Sequence, residues 1–184
     1  MDMLEFVGRL AGMSLRFKAS LPFLFPSIIW KQLCGQRVDE EDLMAMDSLT
    51  GQAVYAIDKC DQAYTMDGER HEPITNEADF RAAFGDIYFV CNSSTGEEVE
   101  LMAGGGTTRV TFANRKRYVK MAVDYRLHEF DLQVAAIRRG IASVVPMPAL
   151  RLFTWQELEI LVAGRPEIDL EVLKRQTSYS GCVA

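Results

Sequence analysis

No two cysteines in this 184-residue sequence stand in C-x-x-C spacing, and histidine occurs only twice, at His71 and His128. A zinc ribbon, a dithiol redox centre and a poly-histidine metal site are therefore not spelled out, and no metal or cofactor is expected. The four cysteines, Cys34, Cys60, Cys91 and Cys182, are scattered and read as reduced thiols. Nothing in the spacing selects Cys91 or Cys182 as a nucleophile activated by His128. Positive charge is scarce: 20 Lys and Arg against 26 Asp and Glu leave a net charge of −6, which speaks against a general nucleic-acid or acidic-membrane binder. Long apolar runs are absent too. The most apolar stretch, Leu21 to Trp30, is ten residues broken by Pro22 and Pro26, where a bilayer span needs about 20. The opening Met1-Asp2-Met3-Leu4-Glu5 is acidic where a secretory leader is basic, so a cytoplasmic or nuclear chain is expected.

With 48% hydrophobic and 25% charged residues, the composition is that of an ordinary globule, long enough for one core. Leu4, Val7, Ala11 and Ser14 recur at helical spacing, and Gly8 and Gly12 leave side-chain-free positions where a neighbouring helix can approach closely. Pro26 opens and Gly35 closes a short helix. Asp39 and Asp47 or Ser48 are placed to cap two more, the second with Leu49, Ala53, Val54 and Ile57 on one face. Residues 58–79 are polar and read as a loop with little regular structure. Ile87 to Cys91, Val99 with Leu101, and Thr107 to Thr111 read as three strands of a small antiparallel sheet. Asn114 is positioned to cap a helix carrying Tyr118, Met121, Ala122 and Tyr125. The next helix is the clearest in the chain, with Phe130, Val134, Ile137, Ile141 and Val144 at 4-3-4-3 spacing. Thr154-x-x-Glu157 is a capping box, closed by Gly164, and a last helical turn runs from Asp169 to Lys174. The whole reads as one α+β unit with a small sheet among helices.

Two features invite chemistry. Gly104-Gly105-Gly106 before Thr107-Thr108-Arg109 has the backbone for an anion cradle, but it lacks the Walker lysine and leads toward a strand, which favours a plain turn. Arg109, Arg115, Lys116, Arg117 and Lys120 form a cationic cluster, and three of these sit at a helix start, against the helix dipole. A solvated face is the simpler reading, with a partner surface the alternative.

Taken in order, Phe6-Val7-Gly8-Arg9-Leu10-Ala11-Gly12-Met13, Trp30-Lys31-Gln32-Leu33-Cys34-Gly35, Asp42-Leu43, and Glu100-Leu101 through Val110-Thr111-x-x-Asn114-Arg115-x-x-Tyr118-Val119 resemble the N-lobe of HECT-type ubiquitin ligases. The resemblance continues through Tyr125-Arg126-Leu127, Gln133-x-x-x-Ile137-Arg138-x-Gly140, Val145-Pro146, Leu152-Phe153-Thr154, Glu157-Leu158-Glu159, Gly164-x-Pro166-x-Ile168-Asp169 and Thr177-x-Tyr179-x-Gly181. It covers nearly the whole chain apart from a polar insertion around residues 58–80. Within the family, Tyr125-Arg126-Leu127-His128-Glu129-Phe130-Asp131 and Gln133-Val134-Ala135-Ala136 look most like the large HERC-class ligases.

The resemblance implies a mostly helical N-lobe portion with a small antiparallel sheet in an E2-binding subdomain. Residues 1–38 and 126–184 would belong to the large N-lobe subdomain, and residues 39–125 to the E2-binding subdomain with its variable loop at 58–80. It further implies a thioester mechanism: a ubiquitin-charged E2 (ubiquitin-conjugating enzyme) docks on the N-lobe and passes ubiquitin to a C-lobe cysteine, which acylates substrate lysines. None of the four cysteines has the family's T-C-F-like context, so no residue here is assigned as catalytic and the C-lobe is read as absent. By motif, the E2 groove falls on Thr50, Ala53, Val54, Gly85, Ile87, Tyr118 and Ala122. Family members tend to carry leucine at Thr50 and Val54 and a larger side chain at Ala122, so a shallower groove is implied. The alternative is a non-catalytic interaction scaffold on the same fold. The motif order also reads as the middle of an N-lobe, with the apolar faces of the Leu4 to Leu15 and Phe130 to Val145 helices expected to lack partners.

Overall fold

The computed structural model describes residues 2–66, 68–165 and 170–178. Ten helices and four short strands follow one another among these: α1 (Asp2–Phe17), α2 (Ser27–Cys34), α3 (Glu40–Met46), α4 (Ser48–Lys59), β1 (Tyr64–Met66), β2 (Glu69–His71), α5 (Glu77–Phe84), β3 (Val90–Asn92), β4 (Glu98–Glu100), α6 (Arg115–His128), α7 (Asp131–Ala142), α8 (Met147–Leu150), α9 (Trp155–Ala163) and α10 (Leu170–Gln176). The fold class is α+β, mainly helical with antiparallel hairpins. No helix among the described residues is long and apolar enough to cross a membrane.

Helix starts follow local chemistry. The Asp39 side chain accepts from the Glu41 and Asp42 amides, and Asp42 returns a bond to the Asp39 amide. Asp47 caps α4 through the Thr50 amide at 3.1 Å, and Thr154 and Glu157 form the reciprocal capping box of α9. Gly35 ends α2 at φ +72°, where a side chain would be strained. Asn114 behaves differently from expectation. It precedes α6, but its side chain turns back, accepting from the Thr111 amide at 2.7 Å and donating to the Arg109 carbonyl.

The buried side chains divide into two clusters. One gathers Leu43, Val54 and Ile57 with Phe80, Phe89, Val119 and Ala122. The other gathers Ala11, Trp30 and Leu33 with Val134, Ile137, Ile141 and Leu158. Ile29 on α2 packs against both. In the second cluster α1 lies directly on α7: a Cβ at Gly8 would overlap the Ile137 carbonyl oxygen, one at Gly140 would overlap the Glu5 carbonyl oxygen, and one at Gly12 would sit 2.9 Å from Val144 Cβ. The inner faces of the Leu4 and Phe130 helices, expected to be open, thus cover each other. The exposed apolar residues of α1 lie on its opposite side.

Three expectations change. The polar stretch at 58–79 holds a β1–β2 hairpin paired Tyr64 to His71, and it leads into α5, which Asn76 caps. The three-stranded sheet is instead two two-stranded ones, β1–β2 and β3–β4. Where the third strand was expected, Gly105–Thr107 makes a 3-10 turn, leaving one bridge between Tyr88 and Arg109. The hydroxyls of Thr107 and Thr108 both donate to the Gly104 carbonyl, which folds that segment on itself. Third, α4 presents a different face. Gly51, Val54, Ala56 and Ile57 are buried, whereas Leu49 is 79% exposed and Ala53 points outward. The motif pieces at Pro166, Ile168, Asp169 and Tyr179 to Gly181, and Cys182, lie outside the described residues.

Candidate functional site

The seven groove positions come from α4, α6 and the segment joining α5 to β3. Tyr118 is half-buried on the first turn of α6; its hydroxyl donates to the Val90 carbonyl at 3.3 Å and its ring meets Phe89 edge-on at 5.7 Å. Burial pushes the Tyr118 phenol above its ordinary pKa, so it stays a neutral donor. Ile87 is half-buried, and its carbonyl accepts from the Val110 amide at 2.8 Å. Gly85 closes α5 at φ +72° and ψ −158°, with nothing within 4 Å of where a Cβ would stand. Its glycine is demanded by backbone conformation rather than by space.

Four of the seven, Val54, Ile87, Tyr118 and Ala122, share one hydrophobic cluster. Val54 and Ala122 are core members, with Ala122 wholly inaccessible; their side chains back the surface and do not line it. Thr50 is half-buried and Ala53 exposed on the outer side of α4. Leu49, which helical periodicity assigned to the interior, joins Ala53 one turn on as the large apolar group of that outer side. The signal that could have found it is Gly51: a Cβ there would overlap Met44 Sδ, so the inward face of α4 runs through a residue with no hydrophobic side chain to mark it.

A buried ionic network ties these elements together. Arg126 on α6 is 4% exposed, bonds Asp47 Oδ2 at 2.9 Å, and contacts Glu129. Glu129 in turn accepts from the amide and hydroxyl of Ser94 at 2.7 and 2.6 Å, holding the β3–β4 turn. Burial works to raise the Asp47 pKa, but hydrogen bonds from Thr50 and the charge of Arg126 outweigh it and hold the carboxyl below its ordinary value.

The other features have ordinary occupants. The Gly106 amide donates to Glu100 Oε1 at 2.9 Å, and Gly105 is buried against the Phe89 carbonyl, so the glycine turn is filled by the chain's own carboxylate. The cationic cluster is broken up by acids: Arg115 is buried against Asp61 at 2.5 Å with its guanidinium 4.1 Å from the Phe112 ring centre, Lys116 shares Asp61, and Arg109 pairs with Asp86. Cys34, Cys60 and Cys91 are buried, and burial raises all three thiol pKa values, which disfavours the thiolate.

The sequence matches the family model of the HECT-domain (ubiquitin-transferase) across residues 1–184. It is 37% identical over 182 residues to the human E3 ubiquitin-protein ligase HERC2, covering 98% of this chain and 3% of that protein. It is 31% identical over 200 positions to the human probable E3 ubiquitin-protein ligase HECTD4, 97% of this chain and 5% of that protein. With human HECTD2, also named a probable E3 ubiquitin-protein ligase, it shares 29% over 178 residues, 95% of this chain and 23% of that protein. The chain belongs to the HECT-domain family. It spans only a small part of the length of these relatives.

Proposed function

We propose that this chain is the E2-docking part of a HECT E3 ubiquitin ligase. Its role is to hold a ubiquitin-charged E2 so that ubiquitin passes to a cysteine of a C-lobe outside these 184 residues and from there to substrate lysines. The observation that carries the reading is family membership over the full chain, with the relatives named E3 ubiquitin-protein ligases. Two physical features support it. The first hydrophobic cluster is built mainly from residues 39–125 and meets the second through Ile29, an arrangement that suits a docking subdomain. Tyr118 and Ile87 are half-buried and Leu49 and Ala53 exposed, and a tyrosine such as Tyr118 is the kind of anchor that interface hot spots favour. Val54 and Ala122 act behind that surface by fixing its shape, and Gly85 lets the chain turn from α5 toward Ile87. The buried, thiol-raised cysteines suit a docking role, and the chain alone is expected to be inactive in transfer.

The test is a nuclear magnetic resonance titration of the isotope-labelled chain with a panel of E2 proteins. Shifts should cluster at Leu49, Thr50, Ala53, Ile87 and Tyr118. Tyr118→Ala should weaken binding by about 1–3 kcal/mol as an aromatic anchor. Leu49→Ala, at an exposed position that folding does not need, should weaken it with the melting temperature unchanged. Silence from every E2, or shifts confined to α1 and α9, would refute the assignment and favour a non-catalytic scaffold.

A further inference from the structure

The turn between β3 and β4 reads Ser93-Ser94-Thr95-Gly96-Glu97, with Glu98 and Glu100 following on β4. Two of its hydroxyls serve the turn itself. Ser93 Oγ accepts from the Glu97 amide at 3.0 Å and lies 2.8 Å from Thr95 Oγ1, and Gly96 takes φ +81°. Ser94 is turned toward α6 instead: its amide and its hydroxyl both donate to Glu129 Oε1, at 2.7 and 2.6 Å. The residue is nonetheless exposed. The strands that hold its turn are three residues each, a hairpin short enough to open at little cost.

Beneath Ser94 the site is rich in negative charge. Arg126 is buried and its guanidinium already serves two carboxylates, Asp47 at 2.9 Å and Glu129. Glu97 adds a further acid: burial raises the pKa of the neighbouring Tyr125 phenol, Glu129 and Glu97 contribute to the rise, and Arg126 opposes it. The Ser94 hydroxyl therefore joins an exposed turn to a buried carboxylate, which in turn meets the arginine that holds the N-cap of α4. A negative charge placed on that hydroxyl would stand against Glu129, and Arg126 could answer it only by giving up a partner it already has.

We propose that Ser94 is a phosphorylation site through which a serine/threonine kinase with a basic substrate groove loosens the start of α4. The glutamates at 97, 98 and 100 are the charge pattern that such a groove selects. In the step, Ser94 Oγ attacks the γ-phosphorus of ATP, the bond from that phosphorus to the bridging oxygen breaks, ADP leaves, and the hydroxyl proton passes to the kinase's base. The product carries a charge of about −1.5 to −2 where a hydrogen-bond donor stood. Repulsion from Glu129 lifts the turn off α6, and Glu129 loses both of its bonds from Ser94. The bond from Arg126 to Asp47 then opens to water, and Asp47 holds the Thr50 amide less firmly. The effect on E2 docking rests on the role proposed for Thr50 and Ala53; the modification and the loosening do not.

The experiment treats the intact chain with ATP and a kinase specific for serine followed by acidic residues, and maps the product by mass spectrometry. Phosphate should appear on Ser94. The modified chain should melt roughly 4 °C lower than the unmodified one, and its Thr50 amide should exchange faster. The gap in melting temperature should narrow as the pH falls through about 6, where the phosphate takes up a proton. Ser94→Asp should lower the melting temperature more than Ser94→Ala does, and in a Glu129→Gln background the two should cost the same. Absence of phosphate from Ser94, an unchanged melting temperature, or a surviving excess cost of Ser94→Asp beside Glu129→Gln would overturn the proposal. So would a raised melting temperature, which would assign the phosphate to Arg126 as a stabilising partner. In an E2 titration the modified chain should bind about five-fold more weakly. If no E2 binds the unmodified chain, the docking role fails while the mapping and the melts still decide the fate of Ser94.

Discussion

Arg126 is the residue on which several elements depend, because one guanidinium satisfies a carboxylate from the α4 cap and another from the end of α6. Arg126→Met keeps the volume but leaves Asp47 and Glu129 facing each other's surroundings without their cation. The expected cost is about 3 kcal/mol, read from urea unfolding. Asp47 adds a pH dependence whose sign follows from its lowered pKa. A carboxylate depressed in the folded state contributes stability above its ordinary pKa of about 4. That contribution is lost as the pH falls through the depressed folded value. Asp47→Asn should therefore lose less stability than the parent between pH 6 and pH 3, measured by thermal melts across about that range. Gly85→Ala should cost about 1–2 kcal/mol from backbone strain alone, since nothing crowds the new methyl group. At this scale the sequence was readable where a residue acts locally, as Asp39, Asp47 and Thr154 do. It was unreadable where a residue's meaning is a distant partner: nothing near Arg126 announces Asp47, and nothing near Arg115 announces Asp61.

Among the elements, those with a strong period and a punctuated end were legible. The Thr154 and Glu157 box is an example, and Thr154→Ala should reduce thermal stability by about 1 kcal/mol by freeing the Glu157 amide. The hairpin and α5 inside residues 58–84 were hidden for a physical reason: β1 and β2 are three residues each with little burial, and α5 commits only Phe80 to the core. Such elements are held by contacts that no local alternation records. The Phe112 amide donating to Glu77 Oε2 at 2.7 Å, and Phe80 meeting Phe112 edge-on, are what fix α5 in place. The third strand failed on the opposite ground. Its threonines favour strands by propensity, yet their hydroxyls close a tight turn on the Gly104 carbonyl instead.

For the whole molecule, the proposed groove draws on three elements far apart in sequence, so it rests on the family order of motifs and not on the hydrophobic pattern. The motif order does not distinguish backing from surface: Val54 and Ala122, assigned to the groove, lie inside, and Leu49, not assigned to it, is exposed. The contact between α1 and α7 has a further consequence, in time rather than in space. At Gly8 and Gly140 backbone meets backbone with no side chain between, so neither helix can loosen by a rotamer change while the other stays in place. Opening one amide of the crossing requires separating the two helices, and the pair should act as one cooperative unit. Native-state hydrogen exchange should then show the amides around Gly8 and Gly140 sharing a single opening free energy, distinct from that of the β1–β2 hairpin. Gly140→Ala should lower that shared value for both helices at once.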